Sequence, residues 1–182
     1  MADSVENVYG TALFQLCEEE GVMDTVFSEL TEINDILFSE DQKEFVELLA
    51  SPLVSAEDKA KALDGVFADK ISALTLDFLC LVSEKGRIRF LPRIYGRFKE
   101  MYNERNNILE VTAITAKPLS DRLRIKLAEK LERVSGNKIV LIEKLDESLL
   151  GGIVLRYSNT EIDSSVRTKL DQIRSQIDSV IA

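Results

Sequence analysis

At 182 residues the chain is long enough for one good core or two small ones, and its 45% hydrophobic and 30% charged content excludes a disordered polymer. Histidine is absent, which removes the commonest general base and metal ligand, so neither catalysis nor a cofactor is expected. The net charge of −9 is concentrated in the first 60 residues, where 15 acids face only Lys43 and Lys59; such a face repels nucleic acid and anionic lipid and favours a basic-rimmed protein partner.

Cys17 and Cys80 have no CxxC partner, so neither a zinc site nor a disulfide framework is implied. No apolar run approaches the roughly 20 residues that cross a bilayer, and residues 1 to 20 carry acids where a targeting peptide carries bases. The chain is therefore expected to start and stay in the cytosol.

Asp3 followed by Glu6 reads as a helix start, and Val5, Val8, Tyr9, Ala12, Leu13 and Leu16 form a stripe that stops at Gly21. Phe14 falls nearly opposite that stripe, so the first helix has two apolar sides. Val26, Leu30, Ile33 and Leu37 mark a second helix. Ser39 with Gln42 resembles a capping box for a third, carrying Phe45, Leu48 and Leu49 up to Pro52; Ser55 with Asp58 does the same for a fourth through Ala62, Leu63, Val66 and Phe67.

The fifth helix, from about Ser72 to Glu84, is apolar almost all round: Leu74, Phe78, Leu81 and Val82 on one side, Leu76, Leu79 and Cys80 on the other. It is either central or covered on one side by a partner. Pro92 opens a sixth helix with Ile94, Tyr95, Phe98, Met101 and Tyr102 at helical spacing, among seven basic residues between Lys85 and Arg105. Short loops between six helices point to a compact bundle over residues 1–105.

After Asn107 the period changes. ILEVTAIT reads as a strand stopped by Pro118; Ser120 to Gly136 reads as a helix with Leu123, Leu127, Leu131 and Val134 on one face. KIVLIEKLD is a second strand and LLGGIVLRYS a third, and the short connection between them favours an antiparallel hairpin. Asp163 stands where an N-cap is wanted for a last helix with Val166, Leu170, Ile173, Ile177 and Ile181 on one face. Residues 106–182 thus form a small β-α-β-β-α domain, and at that size a single core is marginally stable alone. The fold class is mainly α with a small α/β part.

Gly151-Gly152 lacks the GK[ST] and following helix of a phosphate loop and reads as a turn or bulge at the start of a strand. The basic sixth helix, with Phe90, Tyr95, Phe98 and Tyr102 interleaved, leaves one alternative open, a small nucleic-acid-binding regulator.

Three stretches, VYGTALFQLCEEEG, LVSEKGRIRFLPRIYGRFKEMYNERNN and ESLLGGIVLRYSNTEIDSSVRTKLDQI, together resemble the delta subunit family of bacterial F-type ATP synthases, counterparts of the mitochondrial oligomycin-sensitivity-conferring protein. The C-terminal signature is carried by Leu150, Gly151, Gly152, Arg156, Asp163, Ser165, Val166, Arg167 and Leu170. Two departures stand out: Ser158-Asn159-Thr160-Glu161 replaces the usual Gly-Asp type turn, and Ser164 takes a position often held by glycine.

The resemblance implies a non-catalytic stator component without cofactor or metal, peripheral to the cytoplasmic face of the bacterial cell membrane. It would link the catalytic head to the peripheral stalk and resist rotor torque. It implies that the bundle receives the N-terminal helix of the alpha subunit in a groove between helices one and five, formed or supported by Tyr9, Ala12, Leu13 and Phe14 with Leu76, Leu79 and Cys80. It further implies that the C-terminal domain engages the b subunits of the stalk, and that neither nucleic acid nor a membrane span is involved.

Overall fold

A computed structural model describes residues 4–158 and 160–172. The chain divides into two compact units, Met1–Asn103 and Glu104–Ala182, with the division in the last turn of a helix.

The first unit is helical. α1 (Val5–Glu20) follows an extended Ser4 and ends at Gly21, whose left-handed φ of 70° closes the helix by returning its N–H to Cys17 O. The start proposed at Asp3 lies outside the described residues. α2 (Met23–Leu37) buries Met23, Val26, Leu30, Ile33 and Leu37, the stripe its period demands. The capping box at Ser39 does not form. Its Oγ donates to Ile36 O instead, because a 3-10 turn (Glu40–Gln42) precedes α3 (Lys43–Ala50) and Ser39 closes the helix before it. In α3 the buried pair is Val46 and Leu49, while Leu48 is exposed.

α4 (Ala56–Phe67) and α5 (Ala73–Glu84) do carry side-chain caps: Ser55 Oγ accepts from Asp58 N, and Ser72 Oγ from Thr75 N. A second 3-10 turn (Ile88–Phe90) leads into α6 (Leu91–Arg105), where Pro92 occupies the first turn and lacks only an N–H that has no intrahelical partner. Two buried clusters result, one around Leu37, Leu49, Leu63, Leu79 and Ile94, the other around Leu13, Cys17, Leu30 and Phe98.

The second unit is a four-stranded sheet in the order β2-β1-β3-β4, with β1 (Ile108–Thr115), β2 (Lys138–Leu145), β3 (Ile153–Tyr157) and β4 (Thr160–Asp163). α7 (Asp121–Ser135) is the crossover that makes β1 and β2 parallel, and Leu127 and Leu131 pack over Val111, Ala113 and Leu155.

Three expectations are corrected here. β3 does not pair with β2; it runs antiparallel to β1, with Ala113 opposite Leu155 and Thr115 opposite Ile153. Val111 and Ala113 on the inward face of β1 are fully buried, which makes it the natural central strand, whereas β2 keeps exposed lysines suited to an edge. The hairpin is instead β3–β4, a fourth strand where only a turn was expected. The last helix begins later than Asp163: residues 166–172 are helical, and Ser165 Oγ accepts from Thr168 N at 3.2 Å as its cap. Ile173, Ile177 and Ile181 lie outside the described residues, as does Asn159.

Candidate functional site: an apolar trough between α1 and α5

α1 and α5 leave between them an open trough of about 630 Å³. α1 contributes Val8, Tyr9, Ala12, Leu13, Leu16 and Glu20; α5 contributes Leu74, Asp77, Phe78 and Leu81, which recur at the three- and four-residue steps of one helical face. Several walls are strongly exposed for apolar side chains: Val8 at 50%, Leu16 at 43% and Leu81 at 45%. Such residues gathered on one concavity, with only two acids among them, are suited to an apolar helix face.

Tyr9 is held at one end of this trough. Its ring meets Phe78 edge-on with centroids 6.5 Å apart, its hydroxyl accepts from Arg87 Nη1 at 3.1 Å, and the guanidinium lies 5.3 Å from its ring centre. The Lys-Gly-Arg turn after α5 thus fixes a wall of the trough: Gly86 supplies the left-handed φ of 65° that turns the chain from α5 toward α1.

The floor is tied at its N-terminal end by Glu29 of α2. Its carboxylate accepts from Ser72 N and Ser72 Oγ, both at 2.7 Å, and from Thr75 Oγ1 at 2.5 Å, placing negative charge at the positive end of α5. At the other end the nearly buried Lys59 of α4 donates to Ser83 O at 3.3 Å.

Of the residues expected at the groove, Tyr9, Ala12 and Leu13 line it; Phe14, Leu76, Leu79 and Cys80 do not. Phe14 packs edge-on against the buried Phe98, centroids 6.1 Å apart. Leu79 is completely buried, and Leu76 and Cys80 pack on the same cluster. Burial pushes the Cys80 thiol up from its ordinary value, with the charges of Asp77 and Asp64 adding to the effect, so it stands as a neutral thiol. The face of α5 that does line the trough was visible as Leu74, Phe78 and Leu81; nothing in an all-apolar helix told which side was open.

The C-terminal signature residues form a joint. Gly152, at φ 86°, lies so close to the start of the last helix that a Cβ would sit 2.6 Å from Ser164 O and 2.8 Å from Ser165 Cα. Val166 N donates to Gly151 O and Ser164 N to Ile153 O, each at 2.9 Å. Asp163 accepts from Ser165 N at 2.7 Å and Thr168 Oγ1 at 2.6 Å, which holds its carboxyl below the usual range, and Arg156 pairs with Glu161 across the hairpin. The two glycines therefore allow close backbone packing. Around the joint Leu150 is 77% exposed, Val166 and Leu170 are exposed, and a smaller cleft of about 320 Å³ runs from Leu150 to Leu119 and Leu123. Arg167 is exposed beside them.

Three of the four aromatic residues that suggested nucleic-acid binding are engaged inside the unit, and only Phe90 is exposed. Phe98 is fully buried, Tyr95 shares a 2.8 Å hydrogen bond with Thr31, and Tyr102 stacks on Phe27 with centroids 3.9 Å apart. Among the described residues, no helix is long and apolar enough to cross a membrane.

A family model for the ATP synthase delta (OSCP) subunit matches residues 5–177. An ATP synthase subunit delta of Clostridioides difficile is 36% identical over 187 residues, covering all of both chains. That of Chlorobium phaeobacteroides is 33% identical, covering 93% of this chain and 92% of the relative. A chain in the cryo-EM structure of the Toxoplasma gondii mitochondrial ATP synthase hexamer has a TM-score of 0.72 at 27% identity, covering 96% of this chain and 98% of its own. With the match running nearly from end to end, the chain belongs to the ATP synthase delta (OSCP) subunit family and is a non-catalytic component of the stator.

Proposed function

We propose that the first unit, a six-helix bundle, holds the N-terminal helix of the alpha subunit in the trough between α1 and α5, and that the second unit engages the b subunits of the peripheral stalk through its β3–β4 hairpin and last helix. Between them they tie the catalytic head to the stalk, so that rotor torque is resisted and proton flow drives ATP synthesis. The subunit sits at the cytoplasmic face of the membrane through the complex, as a peripheral component.

The observation that carries the first half is that the exposed Val8, Leu16 and Leu81 line one largely apolar concavity between two helices. An amphipathic helix seated there removes these side chains from water, and a few anchors supply most of the affinity. Ala12, small and central on the α1 wall, sets how closely such a helix approaches.

Calorimetry of the full chain with an alpha-subunit N-terminal peptide tests the reading. Ala12→Asp puts a carboxylate into the apolar contact and is expected to weaken binding on the order of a hundredfold, with helical content and b-subunit binding unchanged. Unchanged affinity on the folded variant removes Ala12 from the site.

A further inference from the structure

We propose that the second unit carries a docking slot over β3 and β4, beside the basic flank of α7, that fits an amphipathic helix with an acidic edge. This rests on the reading that the second unit engages the b subunits, and adds where the incoming helix lies and which charge recognises it.

A four-stranded sheet is about two helix widths across, and α7 is fastened on the β2 side of it. Arg124 of α7 pairs with Glu143 of β2, and Glu132 accepts from Ile139 N of β2 at 3.2 Å. The half over β3 and β4 keeps apolar side chains in water. Leu155 faces α7, packing in one cluster with Leu127 and Leu131, and Ile162 stands directly opposite Leu155 on β4, so both share that face. Ile162 is 44% exposed, and Ile153 and Tyr157, two residues either side of Leu155, are only partly buried. On α7 Leu123 and Val134 are exposed as well, and Leu123 joins this half to the small cleft at Leu150.

The charge beside the slot is a second observation. With Arg124 and Glu132 turned toward β2, helical spacing sends Arg122, Lys126, Lys130 and Arg133 to the opposite flank of α7, and all four are exposed. The acids lie elsewhere: Asp121 and Glu132 on the β2 side of α7, Glu129 on its outer face, and Glu161 and Asp163 of β4 alternating with Ile162 onto the far face of the sheet. Among the described residues none of the four cations has an ion-pair partner. Arg122 with Lys126, and Lys126 with Lys130, are like charges four residues apart, which repel and weaken the helix that carries them. A row of carboxylates laid along the flank relieves that repulsion. A nucleic acid also brings negative charge, but its phosphates gain nothing from Ile162 and Val134, and a chain of net charge −9 repels it. A helix with Asp or Glu along one edge of an apolar stripe satisfies both the flank and the floor.

The test uses the full-length chain and the soluble segment of the b subunits, with affinity measured by calorimetry over a range of salt. Lys126→Glu combined with Lys130→Glu is expected to weaken b binding about tenfold at low salt and to flatten its fall with added salt, while the alpha-subunit peptide binds as before. Lys126→Arg combined with Lys130→Arg keeps the charge and is expected to bind as the parent does. Ile162→Asp puts a carboxylate on the floor and is expected to weaken binding at every salt concentration. Unchanged affinity in the charge-reversed chain, with its sheet still protected against hydrogen exchange, overturns the proposal. A loss there with Ile162→Asp unaffected makes the flank a general polyanion site and overturns the helix. A parent chain that does not bind the b segment overturns the reading underneath, whereas binding indifferent to both changes overturns only the slot.

Discussion

The two units differ most in how much apolar surface they bury. In the first, clusters of eleven and six buried residues close the interior; the exposed Val8, Leu16 and Leu81 line the trough, while Ile36, Phe38, Leu48, Leu53, Val66 and Phe90 are exposed outside it. In the second, among the described residues, only Val111, Ala113 and Leu155 form a buried cluster, and no residue of α7 is fully buried. Its exposed apolar groups are spread over α7 (Ile125, Val134), the edge strand β2 (Val140, Ile142) and the glycine joint (Leu150). The first unit is held by two large buried clusters; the second has much less core to hold it. Anything that binds only the folded form adds to stability by mass action, so the second unit is the one whose stability depends more on being assembled.

The strongest way to break this contrast is at the joint. Gly152→Ala drives a methyl into the Ser164 and Ser165 backbone at a φ that side chains rarely adopt, at an expected cost of roughly 2–4 kcal/mol. Hydrogen exchange is expected to show β1 to β4 losing protection while α1 to α5 keep theirs. On the reading proposed above, b-subunit binding is lost and the alpha peptide still binds. Parent-like protection of the sheet would mean that the joint yields without consequence.

The units are also expected to fail at opposite ends of the pH scale. Cys17 is fully buried in the first unit, and desolvation, with a smaller contribution from the charge of Glu29, raises its thiol from 9.0 to about 11. The fold favours the protonated form, so this contribution is complete below pH 9.0 and disappears as pH rises to about 11, a loss of roughly 2–3 kcal/mol. Cys17→Ala is expected to flatten the alkaline limb of stability against pH measured by denaturant unfolding. An unchanged limb would assign it to other groups.

The smaller acid effect falls on the second unit. Hydrogen bonds from Thr168 and Ser165 depress Asp163, those from Ser148 depress Asp146, and Arg124 depresses Glu143. These carboxylates stabilise the fold above their ordinary values of 3.8, 3.8 and 4.5, and the contribution is lost as pH falls through their lower folded values. Unit-resolved NMR is expected to show the sheet opening in acid before the helices. In Asp163→Asn that gap narrows; a gap as wide as in the parent chain would remove Asp163 as a cause.

What the sequence made legible was local. Helical period located α1 to α7, and Gly21, Gly136, Ser55 and Ser72 marked ends that the backbone uses. What it hid depended on distant parts of the chain. The pairing of β3 with β1 goes with β1 burying Val111 and Ala113 where β2 buries nothing, a comparison across the unit that the short β2–β3 connection conceals. β4 is exposed along its whole length and lacks alternating polarity, so TEID gave no strand signal. Asp163 and Ser165 can both cap, and two residues separate the wrong choice from the right one. At the trough, Ala12 and Tyr9 were readable from the α1 stripe, but α5 is apolar on both sides, and the choice of Leu79 and Cys80 over Phe78 and Leu81 needed the packing of α5 against its neighbours.

The smallest expected effect probes whether the second unit is limited by its small core alone. Ser158 joins β3 to β4 at φ 49°, a left-handed conformation that costs a residue with a side chain about 1–2 kcal/mol. Ser158→Gly removes that strain but restores backbone freedom to the unfolded chain, worth about 0.5–1 kcal/mol in the other direction. The net expectation is a gain of about 0.5 kcal/mol in thermal unfolding of the sheet, with the helical unit unmoved. Ser158→Val, which carries a β-branched side chain into the same φ, is expected to lose stability. A loss in the glycine variant as well would mean that Ser158 makes a contact worth more than its strain, leaving the small core as the unit's limit.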